Sequence, residues 1–164
     1  MPFDGNPQDY TRVAPVYDRD NPPTRMSEAI RMAVADLTAI EKTPGYEIDM
    51  SVWHAKEDGA CHVCFAGSVM ANTLHLPKEE VHVLWWNAVD CFGPRWQSVF
   101  MALNCVREGL VELAHKCWAG DLIDQKDAPV NVGKREPVYS YNEDPVAFKR
   151  DMLALADRLE AEGS

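Results

Sequence analysis

Apolar positions along the chain fall mostly at helical spacing. From about Met26 to Lys42, the residues Met26, Ile30, Ala33, Val34, Leu37 and Ile40 recur three and four apart, which predicts a helix with one buried stripe. Arg31 and Asp36 fall off that stripe. Thr24 or Ser27 can cap its start, and Pro44-Gly45 ends it. The period then changes to two: Tyr46, Ile48, Met50 and Val52 share one side, and Glu47, Asp49 and Ser51 the other. That alternation over 46–53 predicts a half-buried strand. Its candidate partners are Val81 to Trp85, or a hairpin of Val130–Val132 and Val138–Tyr141 around Gly133-Lys134-Arg135-Glu136.

The segment from about Ala60 to Leu74 is almost wholly apolar or small, with Cys61, Cys64, Ala66, Gly67, Ser68 and Ala71 among its residues. It reads as a central helix that neighbours approach closely. Pro77-Lys78-Glu79-Glu80 has the form of a helix start, leading to a helix to about Cys91, although Val81-His82-Val83 also suits a strand. Gly93-Pro94 opens a helix to about Arg107 with Trp96, Val99, Phe100, Leu103 and Val106 on its stripe. Gly109 marks a bend, and Leu110 to Trp118 add another turn or two. Asp144-Pro145 pairs an N-cap with Pro at the first position and starts a last helix to about Glu160, which carries Phe148, Met152, Leu155 and Leu159 on one face. The expected fold class is mainly α: a single-domain helical bundle with a minor β element over residues 24–164. Residues 1–23, rich in Pro, Asp and Asn, form an extended N-terminal arm whose Tyr10 and Tyr17 can pack on the domain.

Composition adds charge to this picture. The 164 residues carry a net charge of −10. Residues 1–60 hold 6 basic against 11 acidic side chains, residues 61–120 hold 4 against 5, and residues 121–164 hold 6 against 10. The weakly charged middle third is therefore the expected core, and the acidic ends its cover. Such a surface repels phosphate, which argues against direct nucleic-acid binding, and it suits a protein partner with a basic surface. The bland reading is a solubilising charge. No signal peptide and no apolar run long enough to span a membrane is present in the sequence, so the expected location is the cytoplasm.

Five cysteines, an odd number, fit reduced thiols. Cys61-His62-Val63-Cys64 offers two thiolates at metal-ligand spacing, seven residues after His54, and zinc would need four ligands. His54, Cys61, Cys64 and Cys91 make one candidate set, with His75, His82, Cys105, His115 and Cys117 as further donors. The same Cys-x-x-Cys at a helix start could be a redox pair. Read as packing, both cysteines are small buried residues in a tight helix, and no cofactor is then required. A Cys–His nucleophile, or a general base from a His with Asp49, Asp58 or Asp90, has no spacing to support it, and no phosphate loop, dinucleotide fingerprint, zincin motif or nucleophile elbow occurs. Trp85-Trp86 can place one ring in the core and the other at its edge as a contact anchor, or both in the core. With the acids Asp121, Asp124 and Asp127 it forms the candidate partner-binding set.

The run Cys61-His62-Val63-Cys64-Phe65-Ala66-Gly67-Ser68-Val69-Met70-Ala71 resembles segments of small bacteriophage accessory proteins of unassigned activity, in which a similar Cys-x-x-Cys, an Ala-Gly and an Ala-Val-Met helix recur. Trp86-Asn87-Ala88-Val89-Asp90 and Ala102 to Gly109 are similar as well, so the resemblance covers 46–118. It brings no catalytic residues. It implies a phage-type accessory protein that binds another protein in the host cytoplasm, an inhibitor of host defence being one such role. The alternative is a small-ligand binder or enzyme using the Cys/His-rich middle third, with zinc as its metal.

Overall fold

A computed structural model describes residues 5–11, 16–57, 59–76, 83, 87–121 and 135–164. Among them are six α-helices and one small sheet: α1 Met26–Glu41, β1 Tyr46–Ile48, β2 His54–Glu57, β3 Ala60–Val63, α2 Phe65–Asn72, α3 Ala88–Phe92, α4 Pro94–Val106, α5 Val111–Trp118 and α6 Pro145–Ala161. The chain is thus mainly α with a minor β element. Among the described residues no helix is long and apolar enough to cross a membrane.

Helix α1 packs against α2, α4 and α6 and is covered on more than its apolar stripe. Arg31 and Asp36, expected off that stripe, lie in its polar contacts with neighbouring helices. Arg31 donates to Asp157 at 2.9 Å and Glu160 at 3.1 Å across to α6. Burial alone would weaken its charge, but these carboxylates outweigh that and raise its pKa above the ordinary value. Asp36 is buried and accepts from Asn72 at 2.7 Å and from Thr73 at 2.6 Å. Period alone cannot assign such residues, because their fate depends on the partner helix. The start of α1 also differs from expectation: Arg25 holds the cap position without a side-chain bond, and Ser27 lies inside the first turn, donating both its N–H and its hydroxyl to the Ser164 carbonyl.

The segment read as one helix from Ala60 is divided. Residues 60–63 are strand, and Cys64 is the N-cap of α2, its Sγ accepting from the Gly67 N–H at 3.4 Å. Strand β3 is the middle strand, parallel to β1 and antiparallel to β2. Among the described residues the partner of the predicted strand at 46 is therefore β3. Val83 makes a single bridge to His54 instead, and 138–141 is not strand. The hairpin half 130–132, the helix start at 77–82 and Trp85 with Trp86 lie outside the described residues. Gly67 makes the strand-to-helix junction possible. A Cβ there would lie 1.6 Å from the Trp53 carbonyl oxygen, so only glycine lets β2 begin this close to α2.

The core draws on all parts of the chain rather than on the middle third alone. Met26 to Leu37 of α1 and Phe148 to Leu159 of α6 join Phe65, Val69 and Met70 of α2 and Trp96 to Val106 of α4. Phe65 meets Phe148 edge-on at 5.4 Å, and Trp96 stacks on Phe100 at 5.6 Å. The charged ends reach this core because α1 and α6 are amphipathic and bury their apolar faces, while Asp36, the buried acid of α1, is held by Asn72 and Thr73. Part of the N-terminal arm docks on it. The Trp96 indole donates to the Asp18 and Arg19 carbonyls, Arg19 donates to the Cys91 carbonyl at 2.8 Å, and the Tyr17 hydroxyl donates to Glu28 at 3.1 Å. The α6 start is as read from sequence: Asp144 accepts from the Ala147 N–H at 3.1 Å, with Pro145 first in the helix.

Candidate functional site

The Cys/His-rich region forms on the sheet. Antiparallel pairing of β2 with β3 sets His54 opposite Val63 and brings the Cys61 sulfur 3.3 Å from His54 Nε2. Both side chains are buried. Cys64, three residues on, turns its thiol into the first turn of α2, and burial pushes that thiol's pKa up. Cys91 lies on α3 and is partly exposed. Of the four metal candidates, the fold therefore joins His54 with Cys61. Among the described residues no three His, Cys, Asp or Glu side chains stand close enough to hold a metal ion.

Cys105 of α4 and Cys117 of α5, both buried, hydrogen-bond to each other, and that contact together with burial drives the Cys105 thiol far above its usual range. A thiol held protonated is a poor nucleophile. On the other face of the sheet His62 lies between two carboxylates, with Nε2 3.6 Å from Glu47 and Nδ1 3.6 Å from Asp49. Asp49 also accepts from the Ser51 hydroxyl and N–H, and these bonds hold its carboxyl below the usual range. Alternation along 46–53 and 60–63 explains the grouping: Glu47 and His62 are register partners in β1 and β3.

A second feature was not legible in the sequence. A cavity of about 470 Å³ opens where the C-terminal end of α4 meets residues 135–142 and α6. The strap 135–142 is fastened at several points. The Glu136 N–H donates to the Gly109 carbonyl at 2.9 Å, Arg158 makes a two-pronged pair with the Glu136 carboxylate, and the Tyr139 N–H donates to Asp151 at 2.8 Å. Gly109, at φ +79°, permits the first contact, since a Cβ there would lie 2.1 Å from the Glu136 carbonyl oxygen. The Tyr141 hydroxyl donates to Glu41, which also receives the ammonium of the buried Lys149, and Lys149 donates in turn to Thr38 at 2.9 Å. Burial lowers the pKa of Lys149, partly offset by Glu41, whereas burial and Glu41 together raise that of Tyr141.

In the partner-binding set, Asp121 is exposed just after α5, and Asp124 and Asp127 lie outside the described residues. Compared with known proteins, the chain matches no family model, no curated protein and no solved structure.

Proposed function

We propose that the chain acts by binding another protein, as a bacteriophage-type accessory protein in the host cytoplasm, with inhibition of a host defence protein as the role that fits best. The observation that carries this reading is where the reactive side chains are placed. Cys61 and His54 meet in the interior, Cys64 caps a helix, and Cys105 meets Cys117 in the core. The chain as a whole is acidic, with a net charge of −10. A basic protein surface complements it, and opposite charge steers such a pair together. The second reading is a ligand or zinc held by the middle third, and the His54–Cys61 contact favours it.

The test is affinity capture from host extract with the chain as bait, paired with mass spectrometry of small molecules and metals carried by the purified chain. Recovery of one protein at near-equal amount, released by raised salt, is the expected result. A co-purified small molecule or one zinc per chain, with no protein recovered, reverses the order of the two readings.

A further inference from the structure

We infer that the cavity between α4, the strap 135–142 and α6 binds a small molecule carrying a single anionic group on an apolar body. This goes beyond protein binding and does not depend on it. Its volume, about 470 Å³, lies within the roughly 300–1,000 Å³ typical of ligand pockets. Met50, Val138, Tyr141 and Phe148 supply an apolar side. Tyr141 packs edge-on against Phe148 at 5.9 Å and is tied through its hydroxyl to Glu41, so this wall is already set. A preformed wall reduces the ordering cost of binding.

The charge in the cavity departs from that of the chain. Arg107 donates its Nε to Asn104 at 2.9 Å, and among the described residues its terminal nitrogens have no hydrogen-bond or ion-pair partner. Arg135, exposed at the rim, has none among them either. Glu136 is neutralised by Arg158. A guanidinium offers a planar pair of donors that matches a carboxylate or phosphate. Glu108 also lines the cavity, so a second negative group on the ligand meets a like charge. These features select a monoanion over a polyanion.

The probes are benzoate and methyl phenyl phosphate, which carry the anionic group as carboxylate and as phosphate diester, with benzyl alcohol as the neutral control. Binding is followed by NMR at the Met50 methyl and the Arg107 side-chain N–H. Saturable shifts at both positions are expected with at least one anionic probe, and the tighter of the two identifies the anion type. Benzyl alcohol, and either anion with Arg107→Gln, should bind about tenfold or more weakly, the effect of losing one charge-assisted contact. Arg135→Gln provides a rim variant if Arg107→Gln does not fold, and should weaken anion binding in the same direction. No saturable shift with either anion, equal binding of benzyl alcohol, or binding unchanged in the folded variants would overturn the assignment.

Discussion

Replacing Gly67 by Ala sets two effects of opposite sign against each other. In a helix interior Ala is favoured over Gly by about 1 kcal/mol, so local propensity alone predicts a more stable protein. The packing predicts the reverse. The added Cβ would lie 1.6 Å from the Trp53 carbonyl oxygen, 2.8 Å from its carbon and 3.0 Å from the Val63 Cβ. Normal contact is about 3.5–4.0 Å, so α2 and the start of β2 must separate by roughly 2 Å. The Trp53 backbone resists that shift, because its carbonyl accepts the Cys64 N–H at 3.3 Å and its ring meets Phe100 at 6.2 Å. Overpacking costs about 1–3 kcal/mol and more when backbone must move, which exceeds the propensity gain. A net loss of roughly 2 kcal/mol corresponds to a fall in Tm of about 4–8 °C for a chain of this size. Calorimetry of the two proteins under one condition measures it. A Gly67→Ala protein as stable as the parent, or more so, would refute the close approach of β2 to α2.

Tyr141→Phe should cost about 1 kcal/mol at neutral pH, because Glu41 loses a hydrogen bond. The raised phenol pKa makes this contribution complete below about pH 10, its unfolded value, and lost as pH rises through the folded value, so denaturant curves of the two proteins should converge in alkali. A difference that stays constant across that range would contradict the Tyr141–Glu41 bond. His75 has φ +55° where Leu76 donates back to the Met70 carbonyl, the geometry of a helix end that favours glycine. His75→Gly should therefore stabilise by about 1 kcal/mol, read as a raised urea midpoint with unchanged slope, and a lowered midpoint would show that His75 makes contacts of greater value.

The elements legible in the sequence are those whose signal is local. The stripes of α1, α4 and α6 repeat over several turns, and Asp144-Pro145 and Gly93-Pro94 mark helix starts through backbone chemistry alone. The strand at 60–63 was hidden because its apolar residues run without a polar break into α2. The available signal was Asp58-Gly59, a hairpin dipeptide between His54–Glu57 and Ala60–Val63, with Gly59 at φ +80°. The Cys61–His54 contact follows from that hairpin; spacing alone grouped the two residues with Cys64 and Cys91, and only the pairing of the strands selects the two that meet. The cavity had no local signal, since Met50, Arg107, Tyr141 and Phe148 meet only after α1, α4 and α6 have packed.

The central proposal is that the chain, with its net charge of −10, captures a basic protein partner, and binding kinetics with the captured partner test it most directly. Association should slow as salt rises, because exposed charges are screened beyond about 8 Å at physiological ionic strength. It should also slow when Asp121, Asp124 and Asp127 are changed together to Asn, while Trp85→Ala or Trp86→Ala should chiefly speed dissociation. Association rates unchanged by salt and by the three substitutions would contradict charge-guided capture.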